Sequence, residues 1–403
     1  MTRSTSERTS LLRLGEGASA VTTIELFFDL VYVFAITKLS GFVTTHLSWG
    51  GALQTAILLA MVWQVWIYTT WATNFADPRR HEVRFMLIGV MFGSLLFASA
   101  LGGAFGGSVD TFTTADRGLF VAVCYVSMQV GRCLFMVWAM RGEDLRATFQ
   151  RIVVWSSTSG ALMIAGGLVS QEHVHVREAL WASAIVVEVV SAAFGFWVPR
   201  LGRSDTHDWR VAGSHFAERC QAFMLIALGE SIAVTGSRAS TLKFDATGWI
   251  SIIVVFATSV GFWWLYFDRA ADDSAAVINR SDDPGRLARN AFHWIHPIMI
   301  GGVILTAAAA ELILDDRAGH TESRFAWLIL GGGAMFLIGH ALFKRVVWQT
   351  APVTRLIGVA VLAVAGLFAP HVAPLTLGIV VLAVVVAVAI SDRMLHPPEP
   401  EPE

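Results

Sequence analysis

Charged residues are scarce in this sequence. Asp, Glu, Lys and Arg together make up 15% of its 403 residues, whereas soluble domains contain about 25%. Hydrophobic residues make up 55% of the chain, which is more apolar surface than a compact soluble protein of this length hides from water. Lipid is therefore the expected solvent. The net charge of −2 and the lack of any basic run argue against a nucleic-acid partner.

Cysteines and familiar catalytic motifs are also scarce. The three cysteines, Cys124, Cys133 and Cys220, lie inside apolar runs. They are expected to pack as small side chains rather than to form disulfides or a metal site. The sequence contains no nucleophile elbow, phosphate loop, zinc-protease motif or dinucleotide fingerprint. We therefore expect that the protein is not an enzyme and that it holds neither a metal nor a cofactor.

Long apolar runs, by contrast, are abundant. A membrane-spanning helix needs about 20 predominantly apolar residues. Twelve runs come near this requirement: 24–45, 50–74, 84–106, 117–140, 150–170, 177–198, 212–235, 247–268, 289–311, 325–346, 353–370 and 372–391. The sequence thus predicts an all-α polytopic membrane protein with about 12 transmembrane helices. The last two runs are short and are split by Pro370 and Pro374, so a hairpin that only partly crosses the bilayer is the alternative there.

The predicted helices fall into two similar halves. Trp66-Ile67-Tyr68 before a polar loop of the first half has a counterpart in Trp264-Leu265-Tyr266 of the second. The predicted parts are an N-terminal segment, two six-helix repeats and a disordered Pro/Glu tail, at 1–20, 21–200, 201–392 and 393–403. Each repeat has six helices, an even number, so both repeats enter the membrane from the same side and are parallel. This symmetry is common in transporters. The alternative is that two apolar helices resemble each other without any repeat.

The distribution of basic residues predicts the orientation. The first apolar run has no small-residue cleavage site, so it is expected to be a retained span and not a signal peptide. Most of the 29 Lys and Arg residues fall on the side that carries both termini. By the positive-inside rule, both termini and the segment 1–20 are expected in the cytoplasm.

The first span carries charged residues. A charge at the centre of a span costs about 2.5–3.5 kcal/mol and usually faces a partner or a cavity. Glu25 and Asp29 are four residues apart and share one helical face. Glu25 also fits a solvated first turn, where a carboxylate stabilises the helix N-terminus. Lys38 lies near the far end, where its stem either snorkels to water or reaches a partner on another helix.

The seventh span has a polar stripe. His215 and Arg219 are four residues apart, Glu230 lies eleven further on, and Glu218 is beside the stripe. Such a stripe on an apolar helix lines a pathway or forms a buried ion-pair network, and the sequence leaves both possibilities open.

Other isolated polar residues complete the candidates. Arg132 and Glu188 lie near the middle of their spans, and each needs a partner of opposite sign; Asp29 or Glu230 would suit Arg132. His293 and His296 share a face, where a pH-sensitive hydrogen-bonding pair is favoured over metal binding. Pathway or buried-charge candidates are Glu25, Asp29, Lys38, Arg132, Glu188, His215, Glu218, Arg219, Glu230, Asp268, His293 and His296.

Two stretches make a family resemblance specific. The first span reads TIELFFDLVYVFAIT from Thr23, and the seventh reads HFAER from His215 followed by ALGES from Ala227. Both stretches resemble signatures of the bacterial low temperature requirement A family, and the resemblance covers nearly the whole chain. Asp268 and the stretch from His293 to Pro297 also match recurring polar positions of that family. The resemblance implies a multi-pass protein of the bacterial plasma membrane that is linked to growth in the cold.

A more distant resemblance bears on mechanism. Phe27, Asp29 and Val31, followed by Ala35-Ile36-Thr37, are similar to the first-helix pattern of the endolysosomal potassium channel family. In the second half, Glu218-Arg219 followed by Ala222-Phe223 echoes the same opening. The sequence departs from the family at Phe28, where the family has serine, and in the second half at Leu225, where the family has a second aspartate. The resemblance implies a pore lined by the first helix of each half.

Transport of an ion or small polar solute along the charged residues of the first and seventh spans is the function that the sequence favours. The alternative is a non-transporting membrane protein that acts in cold adaptation through lipid or protein partners. Expected partners are the bilayer and the solute. A homo-oligomer is compatible with the sequence, and a nucleic acid is not expected.

Overall fold

The computed structural model describes residues 11–13, 20–106, 114–209, 211–240, 245–268, 270–315 and 321–395. Within these ranges the regular structure is helical and there is no β-strand. The first seven α-helices are α1 (Thr23–Thr45), α2 (Trp49–Phe75), α3 (His81–Ala100), α4 (Thr114–Ala139), α5 (Leu145–Leu168), α6 (Val174–Ala193) and α7 (Gly213–Ala239). The others are α8 (Ala246–Phe267), α9 (Ala270–Asn279), α10 (Pro284–Ala288), α11 (His296–Asp315), α12 (Ser323–Trp348), α13 (Val353–Phe368) and α14 (Pro374–Leu395). The predicted tail at 393–403 lies almost wholly outside the described residues.

Ten helical segments of the described chain are long and apolar enough to cross a membrane. Of the predicted spans, only α5 and α6 do not meet this requirement as separate helices. They meet the requirement only together and turn through 119° at the break between them. Three charged residues of α6, Arg177, Glu178 and Glu188, are buried. By length and composition the count is ten or eleven, so the predicted twelve spans are not confirmed.

The last two segments are each long enough to cross a membrane. Val353–His371 and Pro374–Met394 meet the requirement separately. Pro370 lies in the short 3-10 turn Ala369–His371, and Pro374 is the first residue of α14. Proline is well accommodated at the first helical position because its missing N–H has no intrahelical partner there. The two prolines therefore separate the last two segments and shorten neither below the length of a span.

The chain divides into two compact units. The first comprises Met1–Leu39, Trp49–Arg219 and Asn279–Ala288, and the second comprises Ser40–Ser48, Cys220–Ile278 and Arg289–Glu403. Both α1 and α7 contribute residues to each unit. The two six-helix repeats, their parallel symmetry and their orientation stay predictions.

In the first unit, α4 packs along α3 and α5, α5 packs on α6, and α2 contacts α4 and α6. Gly167 lets α5 approach α4 closely, because a Cβ there would lie 2.9 Å from the Cα of Leu119. Trp66, Tyr125 and Trp181 are fully buried between these helices. The bulky aromatic side chains leave a tightly packed interior in which buried polar groups must find partners within the protein.

In the second unit, α11 and α12 form the closest helix pair. A Cβ on Gly302 would collide with the backbone nitrogen of Phe336, and a Cβ on Gly332 would lie 2.9 Å from the nitrogen of Thr306. Small residues at such contacts allow helix backbones to approach each other in a membrane. A π-helical turn, Arg289–Ile295, precedes α11. Pro297, the second residue of α11, lacks a backbone N–H and so removes one hydrogen-bond donor. The turn carries His293 into the interior of this unit.

Candidate functional site

Asp29 on α1 and Arg219 on α7 form a buried ion pair within the first unit. Arg219 Nη1 donates to Asp29 Oδ2 at 2.8 Å, and Trp66 Nε1 on α2 donates to Asp29 Oδ1 at 2.7 Å. Arg219 and Trp66 are fully buried, and Asp29 is 2% exposed. Both carboxylate oxygens therefore have a donor, which offsets much of the cost of removing the charge from water.

Glu25 lies one turn earlier on α1 and is also fully buried. His215 Nε2 lies 2.7 Å from Glu25 Oε1, and Arg13 Nη1 lies 3.3 Å from the same oxygen. The backbone N–H and the hydroxyl of Thr22 each donate to Oε2 at 2.9 Å. The solvated first turn considered for Glu25 is therefore wrong, because partners from the chain replace water around its carboxylate.

The spacing of these residues explains how they meet. Glu25 and Asp29 are four apart on α1, as are His215 and Arg219 on α7, so each pair lies on one face of its helix. Arg219 Nη1 also donates to the carbonyl oxygen of Glu25 at 2.6 Å. We call Glu25, Asp29, His215 and Arg219 the paired-charge cluster.

The paired-charge cluster retains polar atoms without a hydrogen bond. Among the described residues, Arg219 Nε and Nη2 and His215 Nδ1 are buried and have no hydrogen-bond partner. The Arg219 guanidinium lies 5.6 Å from the ring centre of Phe28 and 5.5 Å from that of Trp66, so cation–π attraction compensates part of this loss. The cluster can still donate to a further polar group.

Three predicted site residues lie outside the interior. Lys38 is exposed, and its Nζ lies 5.1 Å from the ring centre of Phe34 on its own helix. Glu218 is exposed and accepts from the backbone N–H of Val21 at 3.2 Å. Asp268 is exposed at the end of α8. Glu230 is buried and belongs to the second unit.

Arg132 and Glu188 are joined through neutral side chains. Arg132 donates to Gln129 Oε1, to Thr69 Oγ1 at 3.1 Å and to the Val65 carbonyl at 3.3 Å. Gln129 Nε2 donates to the Tyr125 hydroxyl at 3.2 Å, and that hydroxyl lies 2.6 Å from Glu188 Oε2. The direct pairing of Arg132 with Asp29 or Glu230 is therefore wrong, because neutral groups of α2 and α4 surround its guanidinium.

The second unit holds the predicted histidine pair, His293 and His296. His296 is buried, and its Nε2 lies 2.8 Å from the Tyr266 hydroxyl. His293 is buried with its ring 4.1 Å from that of Trp294, centre to centre. The described residues include no group of three His, Cys, Asp or Glu side chains placed to hold a metal ion.

A second charged cluster in this unit was not predicted. Arg355 on α13 is buried and makes a bidentate ion pair with Asp392 on α14. Lys344 Nζ on α12 lies 3.4 Å from the same carboxylate. Sequence reasoning placed these residues in loops or at span ends, where charges are ordinary, so only the burial of Arg355 distinguishes the cluster.

Partners of the site residues were also missed. They are Arg13, Trp66, Tyr125, Gln129 and Ser159. Tyr125, Gln129 and Arg132 recur at spacings of four and three, which is the signal of one polar face on an apolar helix. Trp66 was noticed only as part of a repeated motif.

The helices and their surfaces define the class of this protein. Large apolar side chains are exposed on several spans, including Phe85 on α3, Ile253 on α8 and Leu367 on α13. An apolar exterior with paired charges inside is typical of a helical bundle whose solvent is lipid. The chain is a multi-pass helical membrane protein.

Comparison with known proteins identifies the family. Residues 20–390 match the family model of the bacterial low temperature requirement A protein, so the chain belongs to that family. An uncharacterized protein of Rhizobium meliloti (strain 1021) is 34% identical over 369 residues, covering 90% of this chain and 87% of that protein. No solved structure matches the chain.

Proposed function

We propose that this family member transports an ion or a small polar solute across the bacterial plasma membrane. The path is lined by the buried charged residues of α1 and α7, and the paired-charge cluster is its central element. By this proposal the protein is not an enzyme, and its partners are the bilayer and the transported solute. Its link to growth in the cold is part of the same proposal.

The observation that carries the proposal is the paired-charge cluster itself. Two carboxylates, an arginine and a histidine are buried on helices long and apolar enough to span a membrane. Ionisable residues in such positions are costly and mark solute pathways or proton relays in many membrane proteins. The free donors of Arg219 supply polar contacts that a passing solute or its hydration water can use.

A different observation favours the alternative function. Asp29 and Glu25 already have donors for both of their carboxylate oxygens, which is also the arrangement expected of ion pairs that only hold helices together. A non-transporting protein that acts in cold adaptation through lipid or protein partners would need nothing more from these residues.

Ion release from liposomes tests the transport proposal. The full-length chain is reconstituted into liposomes loaded with potassium chloride, and K⁺ and Cl⁻ release are followed with ion-selective electrodes. We expect release of one ion above that of protein-free liposomes, and we expect Asp29→Asn to abolish it. Neutralising Asp29 leaves the Arg219 charge without its carboxylate and alters the field along the path.

Glu218→Gln is the matched control, because it also neutralises a carboxylate but at an exposed position beside Arg219. Release should be unchanged in this variant. Folding of each variant is checked by its thermal unfolding in detergent. Wild-type release equal to that of protein-free liposomes, or full release by folded Asp29→Asn, would contradict the proposed path for ions and favour the alternative.

A further inference from the structure

A continuous chain of hydrogen bonds runs through the first unit from Arg132 to α5. It passes from Arg132 to Gln129, Tyr125, Glu188 and Ser159, and it ends at the carbonyl oxygen of Ser156. All five side chains are buried, with exposures of 3% or less. We call this series the Glu188 chain.

The direction of donation is determined at the Arg132 end. A guanidinium only donates, so the atom of Gln129 bonded to Arg132 is its oxygen, and the Gln129 amide nitrogen faces Tyr125. That nitrogen also only donates, so the Tyr125 oxygen accepts from it. The single hydrogen of the Tyr125 hydroxyl is then free to point at Glu188 Oε2, 2.6 Å away.

At the other end of the Glu188 chain, the Ser156 carbonyl determines the direction of donation. Ser159 Oγ lies 3.2 Å from the Ser156 carbonyl oxygen and 2.9 Å from Glu188 Oε1. A carbonyl oxygen only accepts, and a serine hydroxyl has one hydrogen. If that hydrogen goes to Ser156, the bond between Ser159 and Glu188 needs a hydrogen on Glu188 Oε1.

We propose that Glu188 is a proton-binding site, which holds a proton on Oε1 when every bond of the Glu188 chain is made. The carboxyl then donates to Ser159 and accepts from Tyr125, and each of its oxygens has one partner. Within the described residues no cation touches this carboxyl, in contrast to Asp29 and Glu25, which contact Arg219 and Arg13.

Release of the proton requires one hydroxyl rotation. The Oε1–H bond breaks, the proton passes to a water molecule to give hydronium, and the electron pair stays on the carboxylate. The Ser159 hydrogen then turns from the Ser156 carbonyl to Oε1. The new negative charge is balanced through Gln129 and Tyr125 by the positive charge of Arg132, which has no carboxylate in contact with it among the described residues.

The groups packed around Glu188 are suited to both states. On α4 the titratable or charged groups facing it are Tyr125, Arg132 and Cys133. On α2, Tyr68 lies with its ring 5.6 Å from the Arg132 guanidinium, and on α5 the contact is the Ser159 hydroxyl. Arg132 is the only full charge in this set, so it stabilises the carboxylate without binding it permanently.

This inference deepens the proposed transport function and rests on it in one respect, which is that the bound proton serves as the coupled ion. Proton binding by Glu188 itself is measurable without any flux. A buried carboxylic acid has a C=O stretching band that is separate from the bands of carboxylates and amides, so infrared spectroscopy observes the proton directly.

The experiment records infrared difference spectra between high and low pH for the full chain in lipid. We expect a carboxylic C=O band in the wild-type protein and its loss in Glu188→Gln. Tyr125→Phe should keep the band and move it to higher frequency, because the C=O oxygen, Oε2, loses its hydrogen bond. Glu178→Gln is the control, since Glu178 is a second buried glutamate on α6, bonded to Gln54 and His175, and the band should survive in it.

A band that persists in Glu188→Gln, or that is unmoved in Tyr125→Phe, overturns the proposal, as does the absence of any such band in the wild type. If Glu188→Gln does not fold, the shift in Tyr125→Phe decides the question. If Glu188→Gln loses the band but the wild-type protein releases no ion from liposomes, the proton site is retained and the transport function is rejected. If Asp29→Asn abolishes ion release but no band of Glu188 is observed, the transport function is retained and the proton site is rejected.

Discussion

The paired-charge cluster and the Glu188 chain bury opposite charges in the same unit in two different ways. In the paired-charge cluster, carboxylate and guanidinium are in direct contact, because Arg219 Nη1 lies 2.8 Å from Asp29 Oδ2. In the Glu188 chain, Gln129 and Tyr125 stand between Arg132 and Glu188. The ion pair of the paired-charge cluster joins residues 190 positions apart in the sequence. The Glu188 chain joins the neighbouring helices α4, α5 and α6.

The difference determines what each arrangement tolerates. A direct ion pair in a dry interior is stable only while both charges are present, because removal of one partner leaves a bare charge. A carboxyl bonded to hydroxyls can gain or lose a proton and still keep its hydrogen bonds. We therefore expect the paired-charge cluster to keep its charges, which hold α1 against α7 beside the proposed path, and the Glu188 chain to respond to protons.

Removal of Arg219 should have the largest effect on stability. Arg219→Leu leaves Asp29 buried without its cation, which costs about 3–5 kcal/mol. The measurement is the free energy of unfolding in mixed detergent micelles. Arg324→Leu is the matched control, because Arg324 is 56% exposed and pairs with Glu322 at the surface, so its loss should change stability by less than about 0.5 kcal/mol. Equal costs for the two variants would refute the distinction between buried and exposed pairs.

A second substitution should recover part of this loss. In the double variant Asp29→Leu with Arg219→Leu no bare charge remains. We therefore expect its cost to fall short of the summed single costs by about 0.5–3 kcal/mol. The same unfolding measurement on both single variants and the double variant gives this coupling. Simple additivity would show that the ion pair contributes nothing to stability.

Shortening the Glu188 chain should have a smaller effect. Tyr125→Phe removes one donor from a buried carboxyl, and we expect a loss of about 1–2 kcal/mol in unfolding free energy. Phe97→Leu serves as a packing control, since Phe97 lies 6.3 Å from the Tyr125 ring, centre to centre, and makes no hydrogen bond through its side chain. A loss in Tyr125→Phe as large as in Arg219→Leu would mean that Glu188 behaves as a permanent charge.

The exposed charges near the paired-charge cluster should have the smallest effect. Glu218→Gln and Lys38→Gln are expected to change the unfolding free energy by less than about 0.5 kcal/mol. Both side chains are exposed. Within the described residues, Glu218 accepts a hydrogen bond from one backbone N–H, and Lys38 lies over a ring of its own helix. A large loss in either variant would extend the paired-charge cluster beyond its four members.

Some of the site was predictable from the sequence because charge is costly in lipid. Asp29 and Arg219 stood out inside apolar runs, and the structure brings them together. The same reasoning failed for Arg132, since a charge shows that a partner is needed without showing which one. It missed Arg355 and Asp392, because they lie near span ends where a charge has access to water in most proteins.

Apolar run length and the spacing of charges determined by themselves that this chain is a helical, multi-pass membrane protein, and that Glu25 with Asp29 and His215 with Arg219 lie on single helix faces. Both are local properties, because a helix satisfies its own backbone hydrogen bonds in lipid. Only the tertiary structure decided that these two faces meet, that Trp66 completes the shell of Asp29, and that neutral side chains link Arg132 to Glu188. Those contacts join distant parts of the chain, and their partners are selected by packing geometry, which a one-dimensional pattern does not contain.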